Sequence, residues 1–202
     1  MRLPTHIALL CATGLLWSVG AAATQPQAPV PALAPPEPPS LQPFVASYEA
    51  WYGGRPAGTA TMQVSRDEGA NRWRVDLTIR GNRGFAGIMG LNIEQSTVFD
   101  EANGVYRPLS QSTLRKAAVL FNRRVTGTYD WNASTAQWTG DIKKSRREPV
   151  PIRPGDMSGL LINLAVIRDA APGRALAYRF VDGGRVRDYA YRVADQPEAV
   201  TV

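Results

Sequence analysis

Two pairs of adjacent carboxylates and one isolated aspartate are the residues of this chain whose types could support acid catalysis. Asp67-Glu68 and Asp100-Glu101 are the kind of acids that a glycosidase places across a cleft. Neighbouring residues of a strand point to opposite faces, and both pairs lie in predicted turns, so neither predicts a facing acid pair. Asp156 precedes a long apolar segment, and the sequence identifies no companion group for it.

Histidine and cysteine chemistry is restricted to the first 23 residues. His6 and Cys11 are the only residues of their types, and both lie in a predicted signal peptide. The mature chain therefore lacks the side chains of a Ser-His-Asp triad, a Cys-His pair and the usual zinc and copper sites. We predict a non-enzymatic protein with no catalytic, cofactor-binding or metal-binding residues. A hydrolase built on carboxylates or on a Ser-Lys pair stays open.

The N-terminal segment predicts export. Residues 1–23 combine Arg2, an apolar run from Ile7 to Gly20 and small residues before a cut after about Ala23, which is typical of a signal peptide for the periplasm of a Gram-negative bacterium. The run is shorter than the roughly 20 residues that span a bilayer, so no transmembrane span is expected after cleavage. Residues 24–43 hold eight of the sixteen prolines and predict a disordered tether.

A basic run lies in the second half of the chain, "KKSRR". Lys143, Lys144, Arg146 and Arg147 could bind an anionic envelope component, and the alternative is a solvated loop. The net charge of +6 raises the question of nucleic acid. No aromatic residues that could stack on bases are interleaved with the run, so no nucleic-acid partner is expected.

The elements that must position these residues are mostly strands. In "RWRVDLTIR", Trp73, Val75, Leu77 and Ile79 alternate with polar residues, which indicates a strand with one buried face. Similar segments separated by turns follow one another through residues 44–202. We predict a single mainly β (α+β) domain, a curved antiparallel meander that is half-barrel or barrel-like.

One helix is predicted at about residues 156–170. Met157, Leu160, Leu161, Leu164 and Ile167 form an apolar helical face, and Pro172-Gly173 supplies the stop. Asp156 and Ser158 at its start predict a structural helix cap, because their side chains can accept hydrogen bonds from the first backbone N–H groups.

Two groups of apolar residues could line a ligand site. The segment "GNRGFAGIMG" carries Phe85, Ile88 and Met89 among four glycines and could form a mobile flap. The alternative is a bulge that tucks these side chains into the core. Trp51 and Tyr129 could line a pocket, or they could fill the core of the sheet.

Several short motifs occur in the order found in a known family. They are "FVASYEAWYGGRPAGTATMQV", "VYRPLS", "GDMSGLLINLAVIRD" and "YAYRV", followed by Glu198. Over residues 44–202 the chain resembles the bacterial domain of unknown function 3108 family. The resemblance implies an exported antiparallel β-rich domain, akin to the half-barrels of periplasmic lipoprotein carriers, with no established activity. Asp156 and Ser158 match the family's D-x-S helix start, and Gly58 matches its early strand glycine.

In one respect the chain departs from the family. Its members continue past the glutamate with a further hairpin, whereas this sequence stops at "EAVTV". The resemblance therefore predicts either a C-terminally truncated domain or a sheet that ends early.

Apolar strand faces, the glycine-rich segment and the export signal together predict a periplasmic domain that binds an apolar or amphipathic, lipid-like ligand. The alternative is a cell-envelope interaction or scaffold protein that uses an arginine-rich face or an open sheet edge.

Overall fold

Alternating apolar and polar residues build a long antiparallel sheet, as the sequence predicts. The computed structural model describes residues 41–67, 71–82, 90–102, 104–117 and 121–196, with Gly84 and Gly87. The predicted signal peptide, residues 24–40 of the predicted tether, and the family-related Glu198 lie outside the described residues. The strands of the large sheet are β1 (Phe44–Tyr52), β2 (Arg55–Asp67), β3 (Arg72–Gly81), β4 (Leu91–Ala102), β5 (Val105–Ala117), β6 (Phe121–Asp130), β7 (Thr135–Gly140) and β8 (Val150–Pro151).

The eight strands pair in chain order, each antiparallel to the next. The predicted antiparallel meander is therefore confirmed, and the sheet is open, with β1 and β8 at its edges. A 3₁₀ helix at Lys144–Arg146 lies between β7 and β8. In β3 the predicted alternation is confirmed, because Trp73 and Val75 are buried while Arg72 and Arg74 are exposed.

A second, three-stranded sheet follows β8. It contains β9 (Asp156–Met157), β10 (Ala175–Asp182) and β11 (Arg185–Arg192). β10 and β11 form an antiparallel hairpin, and β9 joins β10 in parallel. Between β9 and β10 lies the predicted helix, α1 (Gly159–Asp169).

α1 covers the buried face of β2 to β5. Leu160, Leu161 and Leu164 pack in one core with side chains of the sheet. The sheet members of that core are Met62, Val64, Trp73, Val75, Phe99 and Tyr106. A second core, under β6 to β8, consists of Tyr129, Ala136, Trp138, Ile152 and Val181. Within the described residues, no helix is long and apolar enough to cross a membrane.

Candidate functional site

β5 and β6 carry a row of polar residues from the interior to the surface. Gln111, Thr113 and Arg115 are two residues apart along β5, so their side chains share one face of the sheet. Gln111 is only 7% exposed, and Arg115 is exposed. The next strand continues this face with Arg123, which pairs directly with Arg115. The buried face of the sheet therefore opens to solvent at a pair of arginines.

These arginines line a cleft with a volume of about 360 Å³. Five basic side chains surround it: Arg115, Arg123, Lys143, Arg146 and Arg185. They come from β5, β6, the segment around the 3₁₀ helix, and the start of β11. Two carboxylates, Asp141 and Asp182, also line the cleft. The cationic cleft, as we call this site, thus has three more basic side chains than acidic ones (5 − 2).

The pairing of Arg115 with Arg123 is electrostatically unfavourable. Like charges directly opposite each other on adjacent antiparallel strands destabilise a sheet. Among the described residues, none of the five basic side chains of the cleft forms a salt bridge. Arg123 lies 5.9 Å from the centre of the Phe121 ring, a contact that leaves its charge uncompensated. Asp182 lies opposite Arg185 in the β10–β11 pairing and close enough to Arg115 to feel its charge, so the two carboxylates of the cleft offset only part of its positive charge.

Local packing holds the 3₁₀ helix against the β10–β11 turn. The helix is closed by Arg146 N–H donating to the Lys143 carbonyl at 2.9 Å. Gly184 of the turn has φ of +66°, and a Cβ atom there would lie 2.2 Å from the Arg146 carbonyl oxygen. Only glycine fits this position, and its absent side chain lets the two segments approach. That approach brings Arg146 and Arg185 to the same cleft.

The floor of the cleft is a hydrogen-bonded cluster around Asp182. One carboxylate oxygen accepts from the Gln111 amide at 2.5 Å, and the other accepts from Gly159 N–H at 3.1 Å. The Tyr129 hydroxyl donates to the Val181 carbonyl at 2.7 Å and lies 3.2 Å from Gln111 Oε1. This cluster joins β5, β6 and β10 to the first residue of α1.

Burial dominates the protonation of this floor. It raises the pKa of Asp182, against the opposing effects of the Gln111 and Gly159 hydrogen bonds and the charge of Arg115. Burial also raises the pKa of Tyr129 well above its usual value, and nearby Asp182 and Asp156 raise it further. Tyr129 therefore stays a neutral hydroxyl, and Asp182 resists ionisation.

The predicted cap at the start of the helix requires a correction. Ser158 is the N-cap of α1 and accepts from Leu161 N–H at 3.3 Å, as predicted. Asp156 does not cap the helix, because it lies in β9, paired with Arg179 of β10. Its Oδ2 accepts from Arg153 N–H at 2.9 Å and forms a salt bridge with Arg179.

Asp156 and Ser158 are both buried within the fold, 1% and 0% exposed. Ser158 Oγ also shares a hydrogen bond of 2.9 Å with Thr97 Oγ1 of β4. Asp156 thus joins β9 to β10, and Ser158 joins α1 to the large sheet. Both residues have structural roles, although Asp156 has a different one from that predicted.

The basic run is divided by the structure. Lys143 and Arg146 line the cationic cleft, whereas Lys144 and Arg147 do not. Arg147 instead donates to the Gly140 carbonyl at 3.3 Å. Sequence reasoning missed Arg115, Arg123 and Arg185 as members of this site. In the sequence, each of them looks like an ordinary arginine on the solvent-exposed face of a strand. Only the strand register brings them together, so the sequence gives no direct signal for their meeting.

The predicted ligand-lining residues do not form one group. Trp51 is 41% exposed on the edge strand β1, whereas Tyr129 is 4% exposed and packs edge-on against Trp138. Four strands separate β1 from β6 in the sheet. The proposed flap residues Phe85, Ile88 and Met89 lie outside the described residues.

The chemistry available in the cleft is charge recognition. Arginine remains protonated in proteins and provides hydrogen-bond donors without an acceptor, so it binds anions and is not a base. Among the residues that the structure describes, no group of three or more His, Cys, Asp or Glu side chains could hold a metal ion.

Comparison with known proteins gives one match. No curated protein and no solved structure matches the chain. A family model described as "Protein of unknown function (DUF3108)" matches residues 47–202. That range includes most of β1, all of β2 to β8, α1 and the residues of the cationic cleft. The resemblance found in the sequence is thereby confirmed, and the chain belongs to the DUF3108 family of proteins of unknown function.

Proposed function

We propose that this protein is an exported, non-enzymatic binding domain that takes an anionic component of the cell envelope into its cationic cleft. In this proposal, residues 1–23 direct export to the periplasm and are removed, and residues 24–43 tether the domain. The function is recognition, and the ligand leaves chemically unchanged.

The observation that supports this proposal best is the convergence of five basic side chains on one cleft, where they outnumber the carboxylates by three (5 − 2). They come from separate segments of the chain, so their meeting is a property of the fold and not of a local basic run. A cleft lined by one sign of charge concentrates the potential and raises the local concentration of ions of the opposite sign. An anion would also relieve the repulsion between Arg115 and Arg123.

The ligand that we propose is amphipathic. Val125, Ile142 and Phe180 also line the cleft, so an apolar portion of the ligand would have side chains to contact. Over β2 to β5, α1 packs against the buried face of the sheet, so that part of the face belongs to the protein core. A lipid-like ligand would therefore bind with its charged end in the cleft.

A second candidate function is supported by the free edge of the large sheet. β1 exposes Val45, Tyr48 and Trp51, with 65%, 44% and 41% of their surface accessible. An exposed edge with apolar side chains can add a strand from another protein. In this alternative, the domain is an envelope scaffold that binds a protein partner through β1.

The proposal is tested with the mature chain and vesicles. Vesicles of phosphatidylcholine alone and with added phosphatidylglycerol serve as neutral and anionic probes in a sedimentation assay. We expect binding to the anionic vesicles only, and loss of that binding in the double variant Arg115→Ser/Arg123→Ser. The matched control is Arg80→Ser/Arg124→Ser, which removes the same charge from the opposite face of the sheet.

Equal loss of binding in both double variants would refute a specific cleft and leave only general charge attraction. The scaffold alternative predicts a different pattern. Binding to an envelope protein would persist in both double variants and would be lost in Ser47→Pro, which removes a backbone N–H from the edge strand β1.

A further inference from the structure

The charge and shape of the cationic cleft indicate which anion it binds. Its basic side chains exceed its carboxylates by three (5 − 2). A single carboxylate ligand would neutralise only part of this excess. A phosphate monoester carries about −1.5 to −2 charge at neutral pH, and a second phosphate adds to it. The excess charge therefore favours a phosphorylated ligand over a monocarboxylate.

The type of cation supports the same conclusion. Four of the five basic side chains are arginines, and only Lys143 is a lysine. A guanidinium group donates two parallel hydrogen bonds to a phosphate, whereas an ammonium group acts as a point charge. Arginine is thus the residue that distinguishes oxyanions by their geometry.

The arginines also reach the cleft from two separate parts of the fold. Arg115 and Arg123 come from adjacent strands of the large sheet. Arg146 and Arg185 come from the 3₁₀ helix and the β10–β11 hairpin, which pack against each other through Gly184. A tetrahedral anion directs its oxygens to several sides at once, whereas a planar carboxylate offers two oxygens in one plane. Donors from four separate segments therefore suit the tetrahedral anion better than the planar one.

The size of the cleft requires more than a bare ion. Its volume of about 360 Å³ lies within the range of small-molecule sites. Its wall includes Val125, Ile142 and Phe180, which offer a surface to an organic group. A bare phosphate would leave this surface without contacts. The phosphate is therefore expected to be attached to a carbon-containing group.

From these observations we infer that the anion bound by the cationic cleft is an organic phosphate, a phosphate ester or diphosphate, held by the arginine pair Arg115–Arg123 together with Arg146 and Arg185. This inference rests on the proposed function, because it names the ligand class of the same site. The phosphate could belong to a soluble ester or to the headgroup of a lipid, and the experiment below distinguishes these sources.

The experiment measures affinity by titration calorimetry on the mature chain. Soluble probes are pyrophosphate and glycerol 3-phosphate, with citrate and succinate as carboxylates of comparable charge. We expect the phosphates to bind about tenfold more tightly than the matched carboxylates, since charge-assisted bidentate bonds are the stronger ones. Vesicles with added phosphatidic acid are compared with vesicles that carry oleic acid, a carboxylate lipid. Preference for phosphatidic acid identifies a lipid source, and preference for glycerol 3-phosphate identifies a soluble ester.

Two variants separate the phosphate inference from the proposed function. Arg115→Lys/Arg123→Lys keeps both charges and removes both planar forks, so we expect anion binding to persist and the tenfold preference for phosphate to fall to about twofold. Arg185→Lys tests the β10–β11 hairpin in the same way.

Citrate binding as tightly as pyrophosphate, with both lost in Arg115→Ser/Arg123→Ser, would overturn the phosphate inference and leave the proposed function intact. Absence of binding by every anion would overturn both.

Discussion

The buried floor of the cleft yields a prediction about Asp182. An ionised Asp182 only accepts hydrogen bonds, so the Gln111 amide must turn its NH₂ group towards it. Gln111 Oε1 then faces the Tyr129 hydroxyl. That hydroxyl has a single proton, which it also donates to the Val181 carbonyl. Two acceptors compete for one proton, so one buried oxygen contact is left without a hydrogen.

A proton on Asp182 removes this conflict. The acid donates to Gln111 Oε1, the reversed amide donates to the Tyr129 oxygen, and Tyr129 donates to Val181. The two ends of the amide have nearly the same shape, so the reversal needs no extra room. Every contact in the chain then has one hydrogen. The Gly159 N–H bond to the other carboxylate oxygen is unaffected.

We therefore predict that Asp182→Asn stabilises the protein at neutral pH. The asparagine NH₂ group replaces the acid proton permanently, and its oxygen still accepts from Gly159. The gain in the free energy of unfolding should be about 1–3 kcal/mol, the cost of one unsatisfied buried polar group.

The sign of the pH dependence follows from the raised pKa of Asp182. In the window between its ordinary pKa, about 3.9, and the raised value, the folded protein holds a proton that the unfolded chain has lost. Wild-type stability therefore falls as pH rises through this window, by at most about 1.4 kcal/mol per pH unit for this group. The contribution is fully present below the window. Asp182→Asn lacks this dependence, so its advantage grows as pH rises.

Urea unfolding followed by tryptophan fluorescence, from about pH 4 to about pH 8, measures the effect. The control is Asp141→Asn, which removes the same charge from an exposed side chain of the same cleft, and we expect no comparable gain in stability at pH 7 from it. A variant Asp182→Asn that is less stable than wild type at pH 7, with an unchanged pH dependence, would refute the hydrogen-counting argument.

Three further predictions concern the segments that form the site. Gly184→Ala should destabilise the domain by about 1–3 kcal/mol more than Gly54→Ala in thermal unfolding, because both have positive φ but only Gly184 faces a backbone oxygen at 2.2 Å; equal losses would contradict the packing argument. Ser158→Ala should cost about 1–2 kcal/mol through the lost helix cap and its bond to β4. Thr97→Val removes only the bond to β4 and keeps the cap, so it should cost less, and equal losses would show that the cap contributes nothing. Arg123→Glu replaces a like-charge strand pair, so it should raise the free energy of unfolding by up to about 1 kcal/mol in low salt while abolishing anion binding. Arg124→Glu lies opposite Leu114 and should have neither effect.

The fold was predictable where a single periodicity decided it. The alternation in β3 and the Leu160, Leu161 and Leu164 side of α1 specify buried faces without any knowledge of their neighbours. The predicted helical face was wrong at its ends, because Ile167 is 57% exposed and Met157 lies in β9. Asp156 was assigned the wrong role because its partner, Arg179, is 23 residues away and is reached only through the parallel pairing of β9 with β10. The prediction used only the position of Asp156 relative to the helix start, which does not reveal a partner so far along the chain.

The cationic cleft was only partly predictable for a related reason. Lys143 and Arg146 are neighbours in sequence, and a basic run can be recognised directly. Arg115 and Arg123 become neighbours only through the register of β5 with β6, in which a shift of one residue would turn one of them to the other face. The composition of the sequence shows only that arginines are numerous. Strand pairing decides which of them come together in the cleft.

Two electrostatically unfavourable arrangements among the described residues lie in the same cleft. One is the direct pairing of Arg115 with Arg123, and the other is the half-buried carboxyl of Asp182, which lines the same cleft. Either would be removed by a single substitution to a neutral residue of similar size, so stability alone does not account for them. Residues that break local rules without a structural gain are expected where a protein functions. A bound phosphate would make the Arg115–Arg123 pairing electrostatically favourable, because each arginine would then face an anion. A protonated Asp182 would add no negative charge to repel that anion.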